Sequence, residues 1–95
     1  MFNKLKQIKN LRDKAKVIQS ALSEEMVEHS SKGIAIKMDG NQIVKSIVID
    51  EKLLADKARL ETALAETMNE IIKKVQKKMA LKLQQMGGLD LPGLS

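Results

Sequence analysis

The stretch "GIAIKMDGNQIVKSIVID", residues 33–50, decides the fold. Ile34, Ile36 and Met38 alternate with Ala35 and Lys37, the period-two pattern of a strand with one buried face. Asp39-Gly40 supplies a tight-turn dipeptide, and "IVKSIVID", rich in β-branched residues, follows it. The stretch reads as a hairpin. Immediately upstream, "MVEHSS", residues 26–31, reads as a further short strand leading in from a helix.

Both flanks carry a different period. Ile8, Leu11, Ala15, Ile18 and Leu22 recur at 3-4-3-4 spacing with no Gly or Pro before Gly33, which predicts an amphipathic helix over about 3–25. The stripe is narrow, like a coiled-coil seam, so this helix needs another helix or a second copy to cover it. On the other side, Asp50 can cap the next helical segment, with Glu51 in the first turn where a negative charge is favoured. "EKLLAD" reads as a short separate turn. From about 56 to 86 the pattern Leu60, Leu64, Met68, Ile71, Ile72, Val75, Met79, Leu83, Met86 predicts a second helix, at ~1.5 Å per residue roughly 45 Å long. That is too long for one small globule to cover. Gly87-Gly88 stops it, leaving a short apolar tail over 87–95. The expectation is one α+β domain spanning 1–95, with its strands within 26–50.

Composition narrows the function. Of 95 residues only Phe2 is aromatic, and there is no cysteine, which excludes disulfides, thiolate metal sites and cysteine catalysis. The lysines at 4, 6 and 9 have no uninterrupted apolar run behind them, so neither a signal peptide nor a membrane span is expected, and no membrane partner is expected. The net charge of +5 is uneven. Residues 1–22 hold six basic and one acidic residue, residues 23–70 six and ten, and residues 71–95 five and one. Two basic ends flank an acidic middle, a distribution suited to a polyanion.

On the second helix, "NEIIKKVQKKMALK", residues 69–82, places Lys73, Lys74, Lys77 and Lys78 on the outer face and one flank. Lys82 falls at the edge of the apolar stripe. Lysines near a helix C-terminus are favoured by the dipole, and Glu70 with Lys74 forms a stabilising i,i+4 pair. That explanation does not extend to Lys9, Arg12 and Lys16, which form a stripe at i, i+3 and i+7 near the start of the first helix. Two basic helices point to phosphate contact. Without aromatic stacking residues, and with few arginines for bidentate base readout, the natural target is the backbone of duplex DNA. The first alternative is a helical protein-interaction module whose lysines serve solubility only; a third reading, RNA or membrane-surface binding, shares the lysines.

Catalysis finds little support. His29 is the only histidine, and its neighbours Glu28, Ser30 and Ser31 do not by adjacency make a triad or a metal site. "MDGN" and "MGGLD" are turn and helix-stop signals, not phosphate loops. No cofactor, metal or small-molecule substrate is expected.

The ordered series of segments resembles the YbaB/EbfC family of bacterial nucleoid-associated proteins. The likeness is carried by the lysine-rich "MFNKLKQIKNLRDKAKVIQ", then "KGIAIKMDGNQIVKSIVIDEKLL", then Leu60-Glu61, Asn69-Glu70 and Lys73-Lys74, and finally "MGGLDLPG", residues 86–93. Glu51 stands where the family usually has proline, and Thr62-Ala63 where it usually has Asp-Leu. The resemblance implies an α-β-β-β-α protomer, a small antiparallel sheet flanked by two long helices, forming an intertwined homodimer. It also implies a non-catalytic protein of the cytoplasm and nucleoid that clamps duplex DNA with low sequence specificity and affects nucleoid organisation or gene expression. The expected DNA contacts are Lys9, Arg12, Lys16, Lys73, Lys74, Lys77 and Lys78. The expected dimer interface is Ile8, Leu11, Ile18, Leu22, Leu64, Met68, Ile71 and Val75.

Overall fold

A computed structural model describes residues 2–86, with side chains described from Leu11 onward. The chain runs α1 (Phe2–Ser23), β1 (Met26–Ser31), β2 (Ile34–Asp39), β3 (Val44–Ile49), a 3-10 turn (Glu51–Ala55) and α2 (Lys57–Gln85). This is the expected α-β-β-β-α order, and the apolar tail over 87–95 lies outside the described residues. The strands form one antiparallel sheet in the order β1-β2-β3.

The β1–β2 connection is a two-residue turn that the sequence reading did not anticipate. Ser31 pairs with Ile34, and the two residues between them, Lys32 and Gly33, have φ of 53° and 86°. Positive φ at both central positions is the hairpin turn whose twist matches its strands, and glycine occupies the second at no steric cost. The β2–β3 connection is looser than a two-residue Asp-Gly turn. Asp39 sits at the end of β2, its side chain 1% exposed. Its Oδ1 accepts from Asn41 N at 2.8 Å and Ile43 N at 3.0 Å, and its carbonyl from Gln42 N at 3.0 Å. One carboxylate thus organises the whole turn. The pairing also contains a bulge: Lys37 pairs with Ser46 but Met38 with Val44, leaving Lys45 as the extra residue.

Alternation decides which face is buried. Val27 on β1 and Ile34, Ile36 and Met38 on β2 point to one side, where they are 1–2% exposed. Along α2, Ala63, Thr67, Ile71, Val75 and Met79 recur every fourth residue and close that side as the buried stripe. Leu53, from the 3-10 turn, completes the core, and Asp50 caps that turn by accepting from Lys52 N at 3.0 Å. Asp56 caps α2 by accepting from Arg59 N at 3.1 Å. Thr67 escaped the apolar pattern because it is polar. Its hydroxyl lies 2.7 Å from the carbonyl of Ala63 and 3.2 Å from that of Ser31, so the helix and β1 both offer it an acceptor.

α2 covers β1 and β2 and leaves β3 open. All six residues of β3 are exposed, with Ile47 at 41% and Val48 at 64%, beside Ile43 and Leu54. Of the described side chains of α1, Leu22 near its end leans on the core, whereas Leu11 and Val17 are exposed. The molecule is accordingly elongated, 63 × 23 × 20 Å.

Candidate nucleic-acid interface

The acidic residues of the chain neutralise the cations of the sheet. Lys32 pairs with Glu66, Lys37 with Glu28 at 3.1 Å, and Lys45 with the buried Asp39 at 3.6 Å. The helical cations are divided: Lys57 pairs with Glu61 at 3.8 Å within α2, and others are not paired. Among the described residues, no ion pair forms at Arg12 or Lys16 on α1, or at Lys73, Lys77 or Lys78 on α2, and all five side chains are exposed. Helical periodicity explains this. The buried stripe of α2 faces the sheet at positions 67, 71, 75 and 79, so residues 73 and 77 turn outward; Lys78, seven residues after Ile71, lies on the side of the stripe, where its charge acts on Glu25.

Two lysines of the cluster are tied into the protein. Lys74 Nζ donates to the Glu28 carbonyl on β1 at 2.8 Å, while the residue as a whole stays exposed. Lys82 Nζ lies 2.9 Å from Glu25 Oε1 at the α1–β1 junction. The hydrogen bond from Lys82, then its charge and that of Lys78, hold the Glu25 carboxyl below its ordinary value. Lys82, placed by the sequence at the edge of the apolar stripe, is therefore a strut between α2 and the start of β1. Lys9 lies on α1, but its side chain is outside the described residues, as is that of Ile8.

The residues expected at a dimer interface separate into two groups. Leu11, at 38% exposed, and the half-buried Ile18, Leu22, Leu64 and Met68 all retain surface. Ile71 and Val75 do not: at 0% exposed they lie in the chain's own core, facing β1 and β2, and have no surface to offer a second copy. Their periodicity marked them as apolar contact positions, and the sheet of the same chain uses them first. The exposed row on β3 was not picked out by the sequence reading as contact surface. A strand with β-branched residues on both faces, unlike the alternating β2, was the available signal.

His29 faces α2, with Nε2 3.7 Å from Glu70 Oε1. It belongs to the packing of β1 against the helix. Among the described residues no group of three or more His, Cys, Asp or Glu is placed to hold a metal ion, and no helix is long and apolar enough to cross a membrane.

Comparison with known proteins agrees with this architecture. The chain is 32% identical over 98 residues to a nucleoid-associated protein of Syntrophobacter fumaroxidans, covering 98% of this chain and 89% of that protein. It is 33% identical over 96 residues to a nucleoid-associated protein of Flavobacterium johnsoniae, covering 99% and 88% respectively. The crystal structure of the uncharacterized protein HP0035 from Helicobacter pylori shares the fold, with a TM-score of 0.69 over 83% of this chain and 87% of that one, at 16% identity. The family profile matches residues 1–89, and the chain belongs to the YbaB/EbfC DNA-binding family.

Proposed function

We propose that this protein is a non-catalytic, nucleoid-associated DNA-binding protein that grips duplex DNA by its phosphates as a homodimer. One observation carries the reading: among the described residues Arg12, Lys16, Lys73 and Lys77 are exposed on two separate helices without an acidic partner, and the exposed Lys78 makes no ion pair and acts on Glu25 through its charge alone, while Lys32, Lys37 and Lys45 in and beside the sheet are paired. Lys9 extends the α1 stripe, and Lys74 lies beside the α2 set. Cations held apart from carboxylates retain their attraction for phosphate, and their binding releases condensed counterions from the duplex. Point charges on flexible stems carry little base information, so sequence specificity is low.

The homodimer has its own support. Ile47, Val48, Ile43, Val44 and Leu54 are exposed on and beside an edge strand, apolar residues that isolated chains ordinarily keep off an open edge. Leu11, Ile18, Leu22, Leu64 and Met68 supply further half-covered apolar surface. A second copy covering these residues doubles the basic helices available to one duplex and allows a clamp. In the bacterial relatives the name points to the nucleoid, and a cytoplasmic, nucleoid location fits a DNA partner.

Competition among duplex DNA, RNA and anionic vesicles tests the reading. Duplex DNA is expected to displace the other two, and the Lys73→Gln/Lys77→Gln/Lys78→Gln variant to lose binding to all duplex sequences alike. Preferential retention on vesicles or RNA contradicts it. Full biological activity of the triple variant supports the interaction-module alternative.

A further inference from the structure

α1 ends without a glycine of its own: Leu22 is followed by Ser23, Glu24 and Glu25. Its last carbonyls need donors: Ser23 Oγ donates to Ser20 O at 2.7 Å and Glu25 N to Leu22 O at 3.1 Å, and further donors come from the β2–β3 turn. Gly40 N donates to Leu22 O at 2.9 Å and to Glu25 O at 3.1 Å. The Asn41 side chain donates through Nδ2 to Gln19 O at 3.0 Å. Part of the cap of α1 is thus supplied by residues about twenty positions downstream, and it holds the end of the helix to the turn.

Gly40 is required there by clearance rather than by backbone angle. A Cβ at this position would lie 2.5 Å from Leu22 O, 2.5 Å from Met79 Sδ and 3.0 Å from Leu22 Cβ. The first is a helix carbonyl, the second a buried side chain of α2. One backbone unit therefore touches the end of α1, the turn and the helix bearing the lysine cluster. Asp39, immediately before it, is buried and locks the turn from behind through Asn41 N and Ile43 N. Lys82–Glu25 spans the same junction from the α2 side.

We infer that Gly40 and Asn41 are positioning residues for DNA binding: their cap on the end of α1 fixes the angle between the basic stripe of α1 and the lysines of α2. The inference rests on the phosphate-binding reading above. Neither residue carries charge, so neither contributes to attraction for the duplex directly. They act by aiming Lys9, Arg12 and Lys16.

The test is a set of duplex affinities for the full-length protein. Gly40→Ala is compared with the native chain and, separately, with a chain already carrying Lys9→Gln, Arg12→Gln and Lys16→Gln. In the native background Gly40→Ala is expected to weaken binding about tenfold, at unchanged net charge and unchanged far-ultraviolet circular dichroism. In the neutralised background the same substitution is expected to change affinity less than about twofold, because the groups it misaims no longer bind. Where Gly40→Ala fails to fold, Asn41→Ala replaces it in both backgrounds; it keeps the glycine clearance and removes only the Nδ2 donor. Equal losses in the two backgrounds, or no loss in a folded variant, overturn the inference while leaving DNA binding intact. Absence of duplex binding by the native chain overturns the DNA-binding reading and this inference together.

Discussion

Lys82 Nζ lies 2.9 Å from Glu25 Oε1, so the last lysine of the α2 cluster serves the fold before it can serve a ligand. Its neighbours Lys73, Lys77 and Lys78 have no such partner among the described residues. Charge-neutral substitution separates the two kinds. Lys77→Gln is expected to weaken duplex binding with little change in unfolding midpoint. Lys82→Gln is expected to lower the midpoint and to weaken binding less than Lys77→Gln does. Parallel binding titrations and thermal melts of the two variants make the comparison, and the reverse ranking contradicts it.

The same pair sets a pH dependence. The Glu25 carboxyl is held below its ordinary value of 4.5, first by the hydrogen bond from Lys82. The folded state therefore binds the Glu25 proton less readily than the unfolded chain. The resulting stabilisation is fully present above the unfolded value and is lost as pH falls through the lower folded one. The native chain is expected to exceed Glu25→Gln in stability at neutral pH, with the gap closing under acid. Denaturant unfolding of both proteins across that range measures it; a gap that widens under acid has the wrong sign.

Ile71 is 0% exposed and packs against the sheet of its own chain. Ile71→Ala removes buried methyl groups from a site enclosed by β1, β2 and α2, and a loss of about 2–5 kcal/mol in unfolding free energy is expected. Equilibrium denaturation at fixed protein concentration checks this. A loss below about 1 kcal/mol would mean that the site collapses around the gap.

The exposed side of β3 addresses assembly. Ile47 and Val48 are 41% and 64% exposed in the protomer. The two stand on opposite faces of the sheet, so replacing both with Glu puts a charge into an interface formed on either face, which costs far more than a solvated surface substitution. The native chain is expected to sediment at twice its mass of 10.6 kDa, and the Ile47→Glu/Val48→Glu variant as a folded monomer. A variant that remains dimeric places the interface elsewhere.

Legibility in the sequence followed physical cause. β2 and both helices were readable because one face of each is apolar, β3 because it is rich in β-branched residues, and the caps at Asp50 and Asp56 mark their turns chemically. The "EKLLAD" turn was readable for the same reason. What the pattern could not carry was partner choice. Ile71 and Val75 have the period of a contact surface, but period does not say whether the sheet or a second chain meets them. Thr67 is buried although polar, because nearby carbonyls accept its hydroxyl. Asp39 is buried for the opposite reason, as an acceptor of turn amides. The outward placement of Lys73 and Lys77 followed from spacing, whereas the capture of Lys82 by Glu25 and of Lys74 by the β1 backbone depends on tertiary contacts across many residues.

Duplex affinity measured against salt concentration tests phosphate gripping most directly. A dimer engaging ~6–10 phosphates is expected to lose about 10³–10⁵ in affinity between 50 and 200 mM salt, along a straight line in logarithmic coordinates. Neutralising Lys73, Lys77 and Lys78 is expected to flatten that line. Affinity that is independent of salt, or no binding at 50 mM, contradicts it.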